Sequence, residues 1–450
     1  MSQQKSPRRA LAILLAAGEG TRMKSAKPKA LHEIAGRSML AHVLATLQAA
    51  GADAIALVIG PDHAALAAEA RRFAPDVEIF IQHGRRGTTH ATLAARAAIA
   101  RGYDDVLVTY VDIPLLRADT LRAMREALAQ GAALAALGFE PPEPGGYGRF
   151  IERDGALAAI REDKDASTQE KAIRRCNAGP VAFSGDGALA RLDAIKPDNA
   201  QREYYLTDLV ETTRAAGLHA VALMADARDA LGVNDRVQLA QVEGILQDRL
   251  RHAAMLGGAT LTAPETVFLA HDTKLGRDVL VEPNVVFGPG VRIGDGAIIH
   301  AFCHLEGALV APGAQIGPYA RLRKGSEIGE GAKVGNFVET KSAKLGKGAK
   351  VNHLSYIGDA EIGAGANIGA GTITCNYDGY AKFKTNIGAG AFVGSNSSLV
   401  APVVIGDGAY VGSGSVVTKD VPADALAVAR PEMKVREGWA KRNRERKGKG

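Results

Sequence analysis

Two groups of side chains in this 450-residue sequence have types and spacing that chemistry could use. The first lies in LAILLAAGEGTRMKSAKPK, where Gly18 and Gly20 end a short apolar run and Arg22 and Lys29 follow. Glycines let a backbone come close to a ligand with its amides exposed, and the two cations add fixed positive charge, so phosphate is the ligand this segment suits. A dinucleotide fingerprint would need glycine where Met23 stands, which argues against a nicotinamide enzyme. The second group surrounds His353 in KVNHLSYIGDAEIGAGANIGAGTITCNYDG. An imidazole titrates near neutrality and suits removal of a proton from an amine nucleophile, although an isolated histidine is more often structural. Cys375 lies nearby, but no paired base for a thiol nucleophile is identifiable.

The elements that must position these groups fall into two patterns. From Leu11 to about Asn234, apolar runs (LAILLAA, AIALVI, VEIFI, DVLVTYV) are separated by Ala-rich stretches with helical spacing. That alternation predicts a largely parallel sheet with helices on both faces. The stretch Val237 to Leu256 has apolar residues at helical spacing and no proline, which predicts a connecting helix.

Beyond Leu275 an aliphatic residue followed by glycine returns every six residues, with short slips. Fourteen such pairs occur there, whereas residues 1–230 contain only Ile59 with Gly60 and Leu137 with Gly138. A period of six matches neither helix nor flat strand; it fits a chain that turns a corner after each short strand, three sides closing one coil of a β-helix. The longest interruption, Gly371 to Asn386, predicts an excursion from the coil. The expected division is therefore residues 1–236, a helical linker over 237–257, and a β-helix over 258–450 ending in a basic, mobile tail, KRNRERKGKG.

Composition narrows the function classes. A net charge of +6 with no interleaved aromatic surface in the tail argues against nucleic acid, and no apolar run reaches membrane-spanning length. Cys176, Cys303 and Cys375 lie far apart with no CxxC pair, which suggests a reducing cytoplasm and neither a disulfide framework nor a zinc site. Lys5, Arg8 and Arg9 before LAILLAAG imitate a leader peptide, but the run passes directly into GEGTRM, as a strand feeding a phosphate loop does.

LAAGEGTRM followed by PK resembles the signature of sugar nucleotidyltransferases of the pyrophosphorylase class. The resemblance implies a Rossmann-like α/β domain that binds UTP and a sugar 1-phosphate through Leu15, Ala16, Ala17, Gly18, Lys29, Gln82, Gly87, Thr88, Tyr110, Val111 and Asp112. Gly148, Glu162, Asn177 and Asn234 match the remaining sugar and nucleotide contacts. Asp112 and Asn234 would hold Mg2+, and Arg22 and Lys29 would be the catalytic cations. Val111 departs from the pattern, which more often has glycine there.

The hexapeptide repeat resembles the left-handed β-helix of acyltransferases, and handedness comes from that resemblance alone. RLRKG, GNFVETK, NHLSY, NIGAGT and TCNYDG, with the N-terminal motifs and the later EGW, resemble the bacterial bifunctional uridyltransferase/acetyltransferase family over nearly the whole chain. The resemblance implies that His353 is the general base in acetyl transfer from acetyl-CoA to glucosamine 1-phosphate and that Glu339 orients it. Arg323, Lys341, Tyr356 and Asn367 would bind the sugar phosphate. Ala370, Asn376, Tyr377, Ser395, Ser413 and Arg430 would line the acetyl-CoA site, Ser413 standing where alanine is frequent. The product, N-acetylglucosamine 1-phosphate, would then be coupled to UTP for cell-envelope synthesis, in a homotrimer. The rival readings are a nucleotidyltransferase on an inert β-helix and a non-catalytic binding solenoid.

Overall fold

The computed structural model describes residues 8–448, so Lys5 of the leader-like segment lies outside the described residues. It divides into two compact units between Leu246 and Gln247, within the helix Arg236–Leu256. The helix begins at Arg236, and its packing is shared out along its length. Val242 joins the core of the first unit, whereas Gln247 exchanges hydrogen bonds of 2.7 and 2.8 Å with the backbone of Leu269 in the second.

The first unit is built on β1 (Ala10–Ala16), β2 (Ala54–Ile59), β3 (Glu78–Ile81), β4 (Asp105–Tyr110), β5 (Leu134–Phe139), β6 (Cys176–Ser184) and β7 (Ala220–Met224). Their order across the sheet is β3-β2-β1-β4-β6-β5-β7, and all neighbours are parallel except β6, which is antiparallel to both of its own. β1 shows why the sheet needs helices on both faces. Its alternate residues Ala12, Leu14 and Ala16 pack with Leu40 and Leu44 of the helix Met39–Ala49, while Leu11, Ile13 and Leu15 pack with Ala91 and Leu209 on the other side. A strand buried on both faces reads as an unbroken apolar run, and LAILLAA is one. This is the expected Rossmann-like α/β unit. After β3 the chain returns to the far side of β1, so β1 and β4 part their connections and leave a crevice at their carboxyl ends.

The second unit is a left-handed parallel β-helix of short strands. Leu280 pairs with Ile298, Ile298 with Gln315, Gln315 with Lys333, Lys333 with Lys350 and Lys350 with Asn367, each pair one coil apart. Inward residues from Ala259 to Val421 form one continuous apolar core. One corner carries a column of non-glycine residues with φ between 51° and 62°: Asn284, Phe302, Tyr319, Phe337, Leu354 and Asn396. Asparagine tolerates left-handed backbone, but phenylalanine, tyrosine and leucine disfavour it, so the column persists because each coil is held by the next. Phe302, Tyr319 and Phe337 stack along it with centroids 4.9 and 5.3 Å apart, forming an exposed ridge.

The excursion is shorter than the Gly371–Asn386 expected. Ile373–Cys375 and Thr385–Ile387 are strands within the coil, which leaves 376–384 outside it. The inward position between the first two is filled by Thr374, whose Oγ1 accepts from Gly358 N at 2.8 Å. A hydroxyl satisfied this way sits in the core without an aliphatic signature. Within the tail, Trp439–Arg446 forms a helix with no buried residue.

The continuity of this core sets the cost of disturbing it. Ile357 is 0% exposed, and Ile357→Ala should cost about 2–5 kcal/mol in denaturant unfolding, with hydrogen exchange locating the loss in the β-helix. A loss below about 1 kcal/mol would show that the coils repack around the cavity.

Candidate active sites

In the first unit, the loop after β1 is shaped by one glycine. Gly20 has φ 63°, and a Cβ there would lie 2.6 Å from Lys29 Cβ, so only glycine lets the loop fold back against Lys29. A cavity of about 290 Å3 opens over the carboxyl ends of the strands. Its wall contains Leu15, Ala16, Ala17 and Gly18 after β1, Gln82, Gly87 and Thr88 after β3, Tyr110, Val111 and Asp112 after β4, and Lys29. Val111 is buried and its N–H donates to Leu15 O at 3.1 Å, so the end of the strand accommodates valine here. Gln82 N–H donates to Ile59 O at 2.9 Å, tying the end of β3 to that of β2.

Asn234 reaches the site from 122 positions away because Val233 N–H donates to Asp112 O at 2.8 Å. Lys29 Nζ then lies 2.5 Å from Asp112 Oδ2 and 3.5 Å from Asn234 Oδ1, and Arg22 donates to the same Asn234 oxygen at 2.8 Å. A carboxylate and an amide oxygen thus converge on one cation position. Hard oxygen donors of this kind fit Mg2+, which completes its shell with water and substrate oxygens. Among the described residues no group of three or more His, Cys, Asp or Glu side chains could hold a metal by itself.

Gly148, Glu162 and Asn177 stand outside the main cavity. Asn177 N–H donates to Gly148 O at 2.8 Å, and Asn177 lines a small hollow with Tyr110 and Thr207. Tyr110 lines both spaces, so the two sets of residues adjoin through it. Burial pushes the Tyr110 phenol well above its ordinary range, with the Glu162 and Asp112 charges adding to the effect, so it remains a hydrogen-bond donor. Burial also raises the Glu162 carboxyl, against a 3.1 Å hydrogen bond from Thr207 Oγ1 that lowers it. Behind Glu162, Asp208 is pushed up to about 6 by burial and then by Glu211, Glu162 and Asp165, with Arg161 opposing.

In the β-helix, the corner column collects most of the second set. Leu354 N–H donates to Asn336 O, Gly371 N–H to His353 O, Asn396 N–H to Ala370 O and Gly414 N–H to Ser395 O. His353, Ala370, Ser395 and Ser413 therefore occupy successive coils along one edge, and Arg430 Nη1 donates to Ser413 O at 2.6 Å on the next. Glu339 does not meet the imidazole: it accepts from Arg323 at 2.8 Å and lies 3.8 Å from Arg321. The ring instead donates from Nδ1 to Asn336 Oδ1 at 2.6 Å. Asn336 was not singled out from the sequence, although its position 17 residues before His353, one coil back, was a usable signal.

Tyr356 pairs in register with Glu339, and Asn367 with Lys350. In the excursion, Asn376 Nδ2 donates to Asp359 Oδ2 at 2.5 Å, Tyr377 bridges to Lys382, and Phe383 N–H returns to Asn376 O at 2.9 Å. That turn sets Lys382 beside Lys341, and the Lys382 ammonium with Arg323 holds Lys341 below the ordinary lysine range. Three cations gathered without enough counter-charge suit a dianion. Lys382 is the member that sequence patterning did not reveal, because it is brought in only by the hairpin of the excursion.

Residues 12–181 match the MobA-like NTP transferase domain, and residues 272–307 and 384–419 match the bacterial transferase hexapeptide family of six repeats. The chain is 62% identical over 444 residues to the bifunctional protein GlmU of Xanthobacter autotrophicus, covering 99% of each. It is 61% identical to the protein of the same name from Azorhizobium caulinodans, again covering 99% of each, and 58% identical to that from a Bradyrhizobium species, covering 98% of each.

The carboxylates behind Glu162 make the first unit pH-sensitive. Asp208 titrates at about 6 against 3.8 ordinarily, so its ionisation opposes folding and the stability it lends at low pH is lost as pH rises through about 6. Asp208→Asn, neutral throughout, should raise Tm by about 2–4 °C above pH ~7 and lose that advantage near pH ~4, read by scanning calorimetry. An equal shift at both pH values would mean that charge is not the cause.

Proposed function

The chain belongs to the GlmU family, and from that membership we infer which of its residues perform the two reactions of UDP-N-acetylglucosamine synthesis. It is a bifunctional transferase: acetyl passes from acetyl-CoA to glucosamine 1-phosphate, and a uridylyl group passes from UTP to N-acetylglucosamine 1-phosphate with release of pyrophosphate. It uses Mg2+ and acetyl-CoA.

We assign the uridylyl transfer to residues 1–236. A phosphate oxygen of the sugar phosphate attacks the α-phosphorus of UTP, and the bond to pyrophosphate breaks. Asp112 and Asn234 would hold Mg2+, which when bound offsets the negative charge that grows on the phosphates. Arg22 and Lys29 supply the fixed cations, and the exposed backbone around Gly18 lets phosphate oxygens approach. Gln82, Gly87 and Thr88 take the base, while Gly148, Glu162 and Asn177 take the sugar. The observation supporting this division of labour is the convergence of Asp112, Asn234, Lys29 and Arg22 beside the crevice at β1 and β4. Because such transfer rests on alignment and charge, no protein nucleophile is required.

We assign the acetyl transfer to the β-helix over 258–450, with 237–257 as linker. His353 removes a proton from the sugar amine as the nitrogen attacks the thioester carbonyl, and the carbon–sulfur bond breaks to release the thiol of CoA. Arg323, Lys341 and Lys382 hold the phosphate dianion, with Tyr356 and Asn367 on the sugar. Ala370, Asn376, Tyr377, Ser395, Ser413 and Arg430 hold acetyl-CoA. Supporting this is the single edge along which His353, Ala370, Ser395 and Ser413 lie on successive coils.

The exposed ridge of Phe302, Tyr319, Phe337 and Leu354 runs into the same edge beside His353. We propose that neighbouring copies cover it in a homotrimer, since an apolar ridge of this size otherwise stays in water. Three free cysteines, which a reducing compartment preserves, support a cytoplasmic site of action.

Single substitutions should separate the activities. His353→Ala should lower thiol release from acetyl-CoA and glucosamine 1-phosphate by roughly 10²- to 10⁴-fold while pyrophosphate release is retained. Asp112→Ala should do the converse. Loss of both activities in either variant would overturn the division of residues between two sites.

A further inference from the structure

His353 and Asn336 stand in register on adjacent coils, in the strands Lys350–His353 and Lys333–Asn336. The pairing leaves no freedom to the backbone of the histidine. Its carbonyl accepts from Gly371 N–H at 3.2 Å and from Ser355 Oγ at 2.8 Å, while Leu354 N–H donates to Asn336 O at 3.0 Å. The ring is held separately, by Nδ1–H donating to Asn336 Oδ1 at 2.6 Å. An amide oxygen can only accept, so this bond places the proton on Nδ1 and the basic lone pair on Nε2. Glu339, the nearby carboxylate that could have served, is turned to Arg323 at 2.8 Å and to Arg321 at 3.8 Å.

The geometry points to Asn336 as the positioning residue of the acetyl transfer, fixing the tautomer and orientation of His353 in place of a carboxylate. The inference rests on the reading of His353 as the base. It separates two tasks that a carboxylate would combine. Asn336 orients the ring without placing a negative charge against it, and Glu339 is left to hold Arg323 at the phosphate cluster. Asn336 acts through the imidazole.

The test uses the full chain with Asn336→Leu, which removes the acceptor at similar volume, and Asn336→Asp, which keeps it. Asn336→Leu should lower kcat for thiol release roughly 10- to 100-fold, with KM for acetyl-CoA and for glucosamine 1-phosphate within about twofold and pyrophosphate release from UTP unchanged. Asn336→Asp should keep kcat within about threefold of the unaltered protein. Histidine-selective nitrogen-15 spectra should show the His353 proton on Nδ1 in the unaltered protein and a mixture of tautomers in Asn336→Leu. An unchanged kcat in Asn336→Leu, a fall confined to KM, no rescue by aspartate, or a proton found on Nε2 would each overturn the assignment. His353→Ala keeps the two ideas apart. Full activity in that variant would sink the base itself, whereas its loss beside an active Asn336→Leu would sink only the positioning role.

Discussion

Register between successive coils is the constraint on which the second unit depends. An inward aliphatic residue and a glycine at the corner repeat, and backbone amides along the short strands bond from one coil to its neighbour. Side chains alternate between core and solvent along a strand, so a slip of one residue would turn the core outward. The same rule that buries Val334 over Val351 sets Asn336 beside His353, two positions further on. Packing and chemistry here are specified by one repeat. The left-handed corner residues show how firmly it holds, because Phe302, Tyr319, Phe337 and Leu354 accept a backbone that phenylalanine, tyrosine and leucine disfavour.

The first unit solves the problem of convergence differently. Its candidate site residues come from segments as far apart as Arg22 and Asn234, 212 positions, and the fold brings them to one crevice. β1 and β4 lie side by side, so the glycine loop after one faces Asp112 after the other. A single backbone bond, from Val233 to Asp112, completes the set by delivering Asn234. Lys29 and Arg22 then bridge oxygens that would otherwise face each other without a cation.

Much of this was legible in the sequence because it is periodic or local. The aliphatic–glycine repeat announces the coil, and the unbroken run LAILLAA announces a strand buried on both faces. The end of the regular coil was misjudged at Thr374, where a hydroxyl bonded to backbone fills an aliphatic place and hides the strand. Lys382 escaped notice because only the hairpin of the excursion carries it to Lys341. The pairing of His353 with Asn336 rather than Glu339 depends on where Arg323 points, a matter of side-chain competition that spacing does not encode. Similarly, the first and second units share one helix, and no change of composition marks the place where its packing passes from one core to the other.

A solenoid of constant pitch is also a ruler. Neighbouring strands lie about 4.8 Å apart, so the four steps from His353 through Ala370, Ser395 and Ser413 to Arg430 span about 19 Å along the edge. On the proposed placement of acetyl-CoA, a flexible carrier arm laid there is measured in whole coils, and its reactive end meets His353 only if the count is right. Inserting or deleting one coil between His353 and Arg430 would leave each half well folded and every side chain intact, yet offset one end of the arm by a full step. On that placement the number of turns in this stretch would select the length of the molecule held there, separately from the identity of any residue.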